Sequence, residues 1–353
     1  MSLKDRIIAR IRSEGPLSLS DYMADCLMHP DWGYYATRDP LGAAGDFITA
    51  PEISQMFGEM IGLCIAQSWL DQGRPNPFVL AEAGPGRGTM MSDILRATRA
   101  VPGFADAVSV HLVETSPALR QVQAETLSGV APVWHDGVQA LPDDLPFFFV
   151  ANEFLDALPI RQFQRTETGW RERCVGLDGE ELSFGLGPEL PQPGLTARLE
   201  DTRAGDIVEI CPQMPALAEA IGTRIVTNGG MALFIDYGDW RSLGDTFQAL
   251  ENHTPVDPLV APGQADLTAH VDFEVLTKAT PSGFARLTPQ GIFLERLGIT
   301  ARAQALARGK GDAEVDRIVA AHRRLTHPEE MGNLFKVMGF FPPSGNPPPG
   351  LEI

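Results

Sequence analysis

Between Phe78 and Glu153 four short apolar segments alternate with stretches of helical spacing or polar turns, and this alternation restricts the fold more than any other feature of the chain. The segments are "FVLAEAG" (78–84), "SVHLVE" (109–114), "APVWHD" (131–136) and "FFFVANE" (147–153), with helices expected from about Thr89 and after Pro117. Strands this apolar are buried on both faces, and helical crossovers between them imply a parallel sheet covered on both sides. A fifth apolar run, "MALFIDYG" (231–238), is expected to rejoin that sheet after a helix near residues 215–225. The expected class is therefore α/β, Rossmann-like, with a mostly parallel sheet. Ligands of such sheets bind outside the carboxyl ends of the strands, so the residues that end each strand are the first candidates for a site.

The first strand runs into "LAEAGPGRGTM". Glu82 ends the strand, and Gly84, Gly86 and Gly88 let the backbone turn sharply and approach a ligand closely before a helix begins. A dinucleotide fingerprint needs G-x-G-x-x-G, and counted from Gly84 its third glycine falls on Thr89. The G-x-G-x-G spacing fits the S-adenosylmethionine loop of class I methyltransferases better, while a ligand-free tight turn is the bland alternative. The second strand ends in Glu114, placed to accept from ribose hydroxyls, although a nicotinamide cofactor would want the same acid. The third ends in Asp136, placed for an adenine amino group; an Asx turn beginning "DG" explains it equally well. The fourth ends in "ANEFLDALP", which sets Asn152, Glu153 and Asp156 at the carboxyl edge. Two carboxylates there suit a cationic acceptor such as a guanidinium, whose planar fork they can hold.

Net charge −18 and an isoelectric point near 4.8 disfavour nucleic acid and anionic lipid as partners. No apolar run approaches the roughly 18 residues of a membrane-spanning helix. Cys26, Cys64, Cys174 and Cys211 have no paired spacing, so a reducing compartment is expected, with neither a zinc set nor a disulfide framework. "LKDRIIARIRSEGP" reads as an amphipathic first helix, since Asp5 and Glu14 argue against a presequence.

The domain organisation expected is a helical N-terminal segment over residues 1–74, a core from 75–159 and 200–300, an antiparallel insertion over 160–199, and C-terminal helices and tail over 301–353. Ile53, Met56, Phe57, Met60, Ile61, Cys64, Ile65 and Trp69 mark a buried helix face that starts at Thr49 and stops at Gly73. "RQFQRTETGWRERCVGL" reads as two strands about a turn, followed by a Pro- and Gly-rich stretch to about Gly194. "ENHTPVDPLVAPGQADLTAHVDF" reads as a long polar loop, and Ile292–Leu297 and Met331–Met338 as closing helices.

Several blocks together resemble the MidA-like family: "HPDWGYYATRDPLGAAGDFITAPEISQMFGE", "EAGPGRGTMMSDIL", "ETSPALR", "ANEFLDALPIRQF", "DYG" and "GQADLTAHVDF". The similarity covers nearly the whole chain. The mitochondrial members are protein arginine methyltransferases that assist assembly of respiratory complex I. The resemblance implies a class I methyltransferase fold, S-adenosylmethionine as cofactor, and symmetric dimethylation of an arginine in a complex I subunit. By match, Gly84, Gly86 and Gly88 become the methionine-side loop, Glu114 the ribose acid, and Asn152, Glu153 and Asp156 candidates for the transfer site. The compartment implied is the cytoplasm of a bacterium, or the mitochondrial matrix in a eukaryote. Oligomeric state stays open.

"GDFITAPEIS" (45–54) contains a capping box, Thr49-x-x-Glu52, with Pro51 in its first turn. Gly45, Asp46 and Phe47 precede it. A loop hinged on that helix is expected to close the cofactor site, with Phe47 covering the cofactor and Asp46 meeting a cation; a hydrophobic staple is the plainer role for Phe47. Trp32, Tyr34 and Tyr35 read as a channel wall or as packing. His253, Asp257, Asp266, His270 and Asp272 lack metal-ligand spacing, so no metal is expected. The competing functions are a non-catalytic assembly factor that binds S-adenosylmethionine and a nicotinamide oxidoreductase. No G-x-S-x-G or Walker A run occurs.

Overall fold

The computed structural model describes residues 2–37 and 49–353. Asp46 and Phe47, and the loop from Gly42 to Phe47 to which they belong, lie outside the described residues.

The central sheet is built from β1 (Phe78–Ala83), β2 (Val108–Val113), β3 (Val133–His135), β4 (Phe147–Asn152), β5 (Gly230–Asp239) and β6 (Phe335–Phe341). Their spatial order is β6-β5-β4-β1-β2-β3. The first five strands are parallel, and β6 runs antiparallel to β5. From β1 the chain winds outward through β2 and β3, then returns to the other side of β1 for β4. The switch point, where such sheets open a crevice for ligands, therefore lies between β1 and β4.

Both faces of the sheet are buried, which explains the continuous apolar runs. Val79, Ala81, Phe147, Phe149 and Phe234 pack with the first helices, Leu3–Glu14 and Leu19–Met28, and with the helix Met214–Asn228. Phe78, Leu80, Phe148, Val150 and Leu233 face the opposite way, toward the helices Gln55–Asp71, Thr89–Thr98 and Gln290–Arg296. The three phenylalanines of β4 are fully buried, each worth about 2 kcal/mol in removed apolar surface. Gly58 lets Gln55–Asp71 lie directly on the glycine-loop helix, since a Cβ there would sit 2.6 Å from Asp93 Cβ. Glu59 clamps the same pair: Arg96 Nη1 donates to it at 2.6 Å, and Arg302 Nε and Nη2 at 2.7 and 2.8 Å. Burial works to raise its carboxyl, but Arg302 and Arg96 together outweigh it and hold Glu59 below the usual range.

Several elements depart from the sequence reading. Met331–Met338 was expected as a helix, yet only Met331–Leu334 is helical and Phe335–Phe341 is the antiparallel strand β6. A short apolar run buried on both faces has no period that separates helix from strand. The long polar loop supplies two strands, Thr254–Val256 and Asp266–Thr268, of a three-stranded antiparallel sheet completed by Gln248–Glu251. Its tight turn is Asn252-His253, both with positive φ (49° and 59°), as a type I′ hairpin requires. The insertion carries a further strand, Glu181–Leu190, paired with Trp170–Asp178, and its sheet also takes in Leu17–Ser18 and Ile207–Ile210. The helix expected to run on from Thr49 is broken at Ser54, extended at φ −164°, into Ala50–Ile53 and Gln55–Asp71.

Candidate functional site

Ala83 ends β1, and three glycines with positive φ carry the chain across the crevice: Gly84 at 64°, Gly86 at 53° and Gly88 at 80°. Gly84 N–H donates to Val113 O at 3.1 Å and Gly88 N–H to Pro85 O at 2.8 Å, so the loop is held against the end of β2. A Cβ on Gly84 would stand 3.0 Å from the Phe154 ring. Gly88 then caps the helix Thr89–Thr98.

One residue outside the sequence-expected set ties this loop to its neighbours. Gln123, fully buried on the helix Pro117–Thr126, donates to Gly86 O at 2.8 Å and to Glu114 Oε2 at 3.2 Å, and accepts from Trp134 Nε1 at 2.8 Å. Glu114 also accepts from Ser116 N–H at 2.8 Å. Burial raises its carboxyl above the ordinary value, with the Ser116 N–H and Gln123 pulling the other way. Asp136 is exposed and pairs with Arg120 Nη2 at 2.5 Å, while Arg120 also donates through Nε to Glu114 O at 2.8 Å. Glu82 is 2% exposed, and burial pushes its carboxyl up to about 8. Its Oε2 has no hydrogen-bond partner among the described residues.

The end of β4 assembles a cluster of acids. Glu153 adopts φ 49°, a left-handed conformation costly for a residue with a Cβ. Its Oε1 accepts from Asn152 Nδ2 and from Ala50 N–H, each at 3.1 Å. Burial lifts the Glu153 carboxyl to about 7, with the charge of Asp156 adding to the effect. Asp156 is 6% exposed and raised by burial to about 6. Tyr237 OH donates to its Oδ2 at 2.6 Å. Among the described residues neither Asp156 Oδ1 nor Asn152 Oδ1 has a partner. Beneath them Asp236, at the end of β5, accepts from the N–H groups of Phe154, Leu155 and Asp156.

The segment Ala50–Ile53 bridges the two groups. The expected capping box is absent: Thr49 makes no side-chain cap, Glu153 takes the Ala50 N–H, and Glu52 Oε1 accepts from Thr89 Oγ1 at 2.5 Å. Long-range partners win over the local box because both ends of the crevice lie within reach. Ala50–Ile53 therefore lies between the glycine loop and the acids.

Two members of the late loop also arrive at the cluster. Tyr35 OH donates to Asp266 Oδ1 at 2.8 Å, and His270 packs edge-on against Tyr237 with ring centroids 5.4 Å apart. Tyr34 and Tyr35 meet edge to face at 5.3 Å, whereas Trp32 packs tilted against His29 at 4.6 Å. No group of three or more metal-ligating side chains occurs among the described residues, and none of their helices is long and apolar enough to cross a membrane. Asp236 and Tyr237 were missed as site residues; their only trace in the sequence is "DYG" after a strong strand. Gln123 left no trace, since a buried glutamine in an amphipathic helix has no pattern of its own.

Comparison with known proteins follows the same outline. Residues 60–290 match a family described as "Putative S-adenosyl-L-methionine-dependent methyltransferase". The chain is 38% identical to the mitochondrial protein arginine methyltransferase NDUFAF7 of Danio rerio over 95% of its own length and 86% of the relative's. It is 36% identical to that of Homo sapiens, over 95% and 82%. A crystal structure from Burkholderia thailandensis bound to S-adenosyl-homocysteine superimposes with a TM-score of 0.85 at 29% identity, covering 99% of this chain and 94% of the other.

Proposed function

The chain belongs to this family of S-adenosyl-L-methionine-dependent methyltransferases, and on that premise we propose that it methylates an arginine side chain of a protein substrate. The observation that carries the acceptor is the acid cluster: among the described residues Asp156 Oδ1 and Asn152 Oδ1 are buried acceptors without a donor, beside a Glu153 carboxyl already burdened by burial. Leaving buried acceptors unmade is costly, and a planar cation with several N–H donors would satisfy both.

The same reasoning supports the cofactor. The glycine loop brings bare backbone to the switch point, Glu82 Oε2 is a buried acceptor without a donor among the described residues, and Glu114 stands beside the loop through Gln123. Gly84, Gly86, Gly88, Glu82 and Glu114 would hold S-adenosylmethionine, with Asp136 at its adenine end and Phe47 as cover. When bound, the cofactor supplies an electrophilic methyl group. Asn152, Glu153 and Asp156, with Asp46 from the covering loop, orient the guanidinium. Asp156 Oδ1 accepts the proton that the substituted nitrogen must lose, and its raised carboxyl matches that task near neutral pH.

The protein acceptor we propose is a subunit of respiratory complex I, modified symmetrically in support of assembly, as the resemblance implies. The chain would work where that complex is built, in the bacterial cytoplasm or the mitochondrial matrix. All four cysteines are free, which suits either compartment. Asp156→Asn and Glu153→Gln test the assignment: each should leave S-adenosylhomocysteine binding by calorimetry within about threefold and reduce methyl transfer by about 100-fold. Full transfer by both variants would remove the acids from the reaction.

A further inference from the structure

We propose that Asp236 and Tyr237 are positioning residues of the acceptor site, which fix Asp156 so that its Oδ1 alone faces the substrate cation; the inference rests on the arginine reading above.

Asp236, in the C-terminal part of β5, is 1% exposed, and both of its oxygens accept from backbone N–H groups. Its Oδ2 accepts from three successive backbone N–H groups, Phe154 at 3.2 Å, Leu155 at 2.9 Å and Asp156 at 3.3 Å, and its Oδ1 accepts from Tyr237 N–H at 3.0 Å. These four bonds commit the carboxyl to the backbone around it. It sets the backbone from which the Asp156 side chain projects, and Ala269 N–H bonded to Asp156 O at 3.0 Å holds the far side.

Tyr237 fixes the side chain itself. Its hydroxyl occupies Asp156 Oδ2 at 2.6 Å, and its ring is clamped edge-on by His270 and by Phe335, each with centroids 5.4 Å away. One oxygen of Asp156 is thus filled by a donor that cannot swing aside, and the other remains buried without a donor among the described residues. A simple loop tether would need Asp236 only. It would not need a second donor that immobilises an acid whose other oxygen stays unmade. Among the described residues the titratable groups that bear on Asp156 include Glu153 from its own turn, Asp236 and Tyr237 from β5, and Tyr35, whose hydroxyl is bonded to Asp266. The Tyr237 hydroxyl is the side-chain donor that works to lower the Asp156 carboxyl against burial.

The test uses the full chain, tritiated S-adenosylmethionine, and an extract of cells lacking the protein as acceptor pool. Tyr237→Phe keeps the clamped ring and removes the hydroxyl. The initial rate should fall about tenfold, as for loss of one hydrogen bond to a charged group, and the acid limb of its pH profile should move upward. Asp236→Asn is expected to lower the rate at every pH and to reduce thermal stability. A second measurement does not depend on the acceptor: carbon NMR of aspartate-labelled protein, with the Asp156 signal assigned by its loss in Asp156→Asn, should show a higher titration midpoint in Tyr237→Phe. If the wild type methylates nothing, the arginine reading fails while the NMR titration still decides the positioning role. An unmoved Asp156 midpoint in Tyr237→Phe overturns it, as does a rate loss with the acid limb unchanged.

Discussion

Gln123→Met separates the network that builds the cofactor crevice from the fold that carries it. Methionine nearly conserves the volume, so packing at this fully buried position changes little. Three hydrogen bonds vanish: to Gly86 O, to Glu114 Oε2 and from Trp134 Nε1. Gly86, Glu114 and Trp134 are each only partly buried, so water recovers part of the loss. At about 1 kcal/mol for each bond the variant should lose about 3 kcal/mol of stability, read by guanidinium unfolding. The glycine loop and Glu114 would no longer be held in register, and affinity for S-adenosylhomocysteine should fall at least about tenfold by calorimetry. Loss of stability with affinity within twofold of wild type would show that Gln123 serves the fold and that the network does not shape the cofactor site.

Other perturbations follow from the same geometry. Gly84→Ala forces a Cβ into positive φ and to 3.0 Å from the Phe154 ring; about 1–2 kcal/mol of stability should be lost, with weakened cofactor binding, and unchanged binding would contradict the loop's role. Glu59→Gln leaves Arg96 and Arg302 without their shared carboxylate. Because both arginines reach water, a loss of about 2 kcal/mol is expected in denaturant unfolding, and no loss would remove the clamp from the account. Burial raises Glu82 from 4.5 to about 8, so the folded protein without cofactor keeps a proton that the unfolded chain has released. Its contribution to stability is full below the ordinary value and is lost as pH rises to about 8, at up to about 1.4 kcal/mol per pH unit. Glu82→Gln should flatten that slope by up to one proton, and an unchanged slope would mean that Glu82 is ionised in the fold.

What could be read from the chain was local or periodic. The strands of the parallel sheet, the glycine turn and the acids after β4 are each set by neighbours within a few residues, and the structure puts them around one switch point. Contacts that span the chain could not be read in that way. Thr49 to Glu52 looked like a self-contained cap until Glu153 and Thr89 supplied partners 103 and 37 residues distant. Phe335–Phe341 is a strand because β5 lies beside it, and nothing within those seven residues excludes a helix. Asp236 is an ordinary acid of β5 until three amides from the turn after β4 converge on it. Asp136 arrives in the order expected of a strand-end acid, and its pairing with Arg120 is a further contact that no local pattern announced.

The central claim is methyl transfer to arginine, and the most direct measurement follows labelled methyl from S-adenosylmethionine into an extract of the source cells lacking this protein, with the modified residue identified by mass spectrometry. The account predicts label on an arginine of a complex I subunit, dimethylated symmetrically, and its loss with Asp156→Asn. Binding of S-adenosylhomocysteine by calorimetry with no label in any protein would contradict it and would leave a cofactor-binding assembly factor in its place.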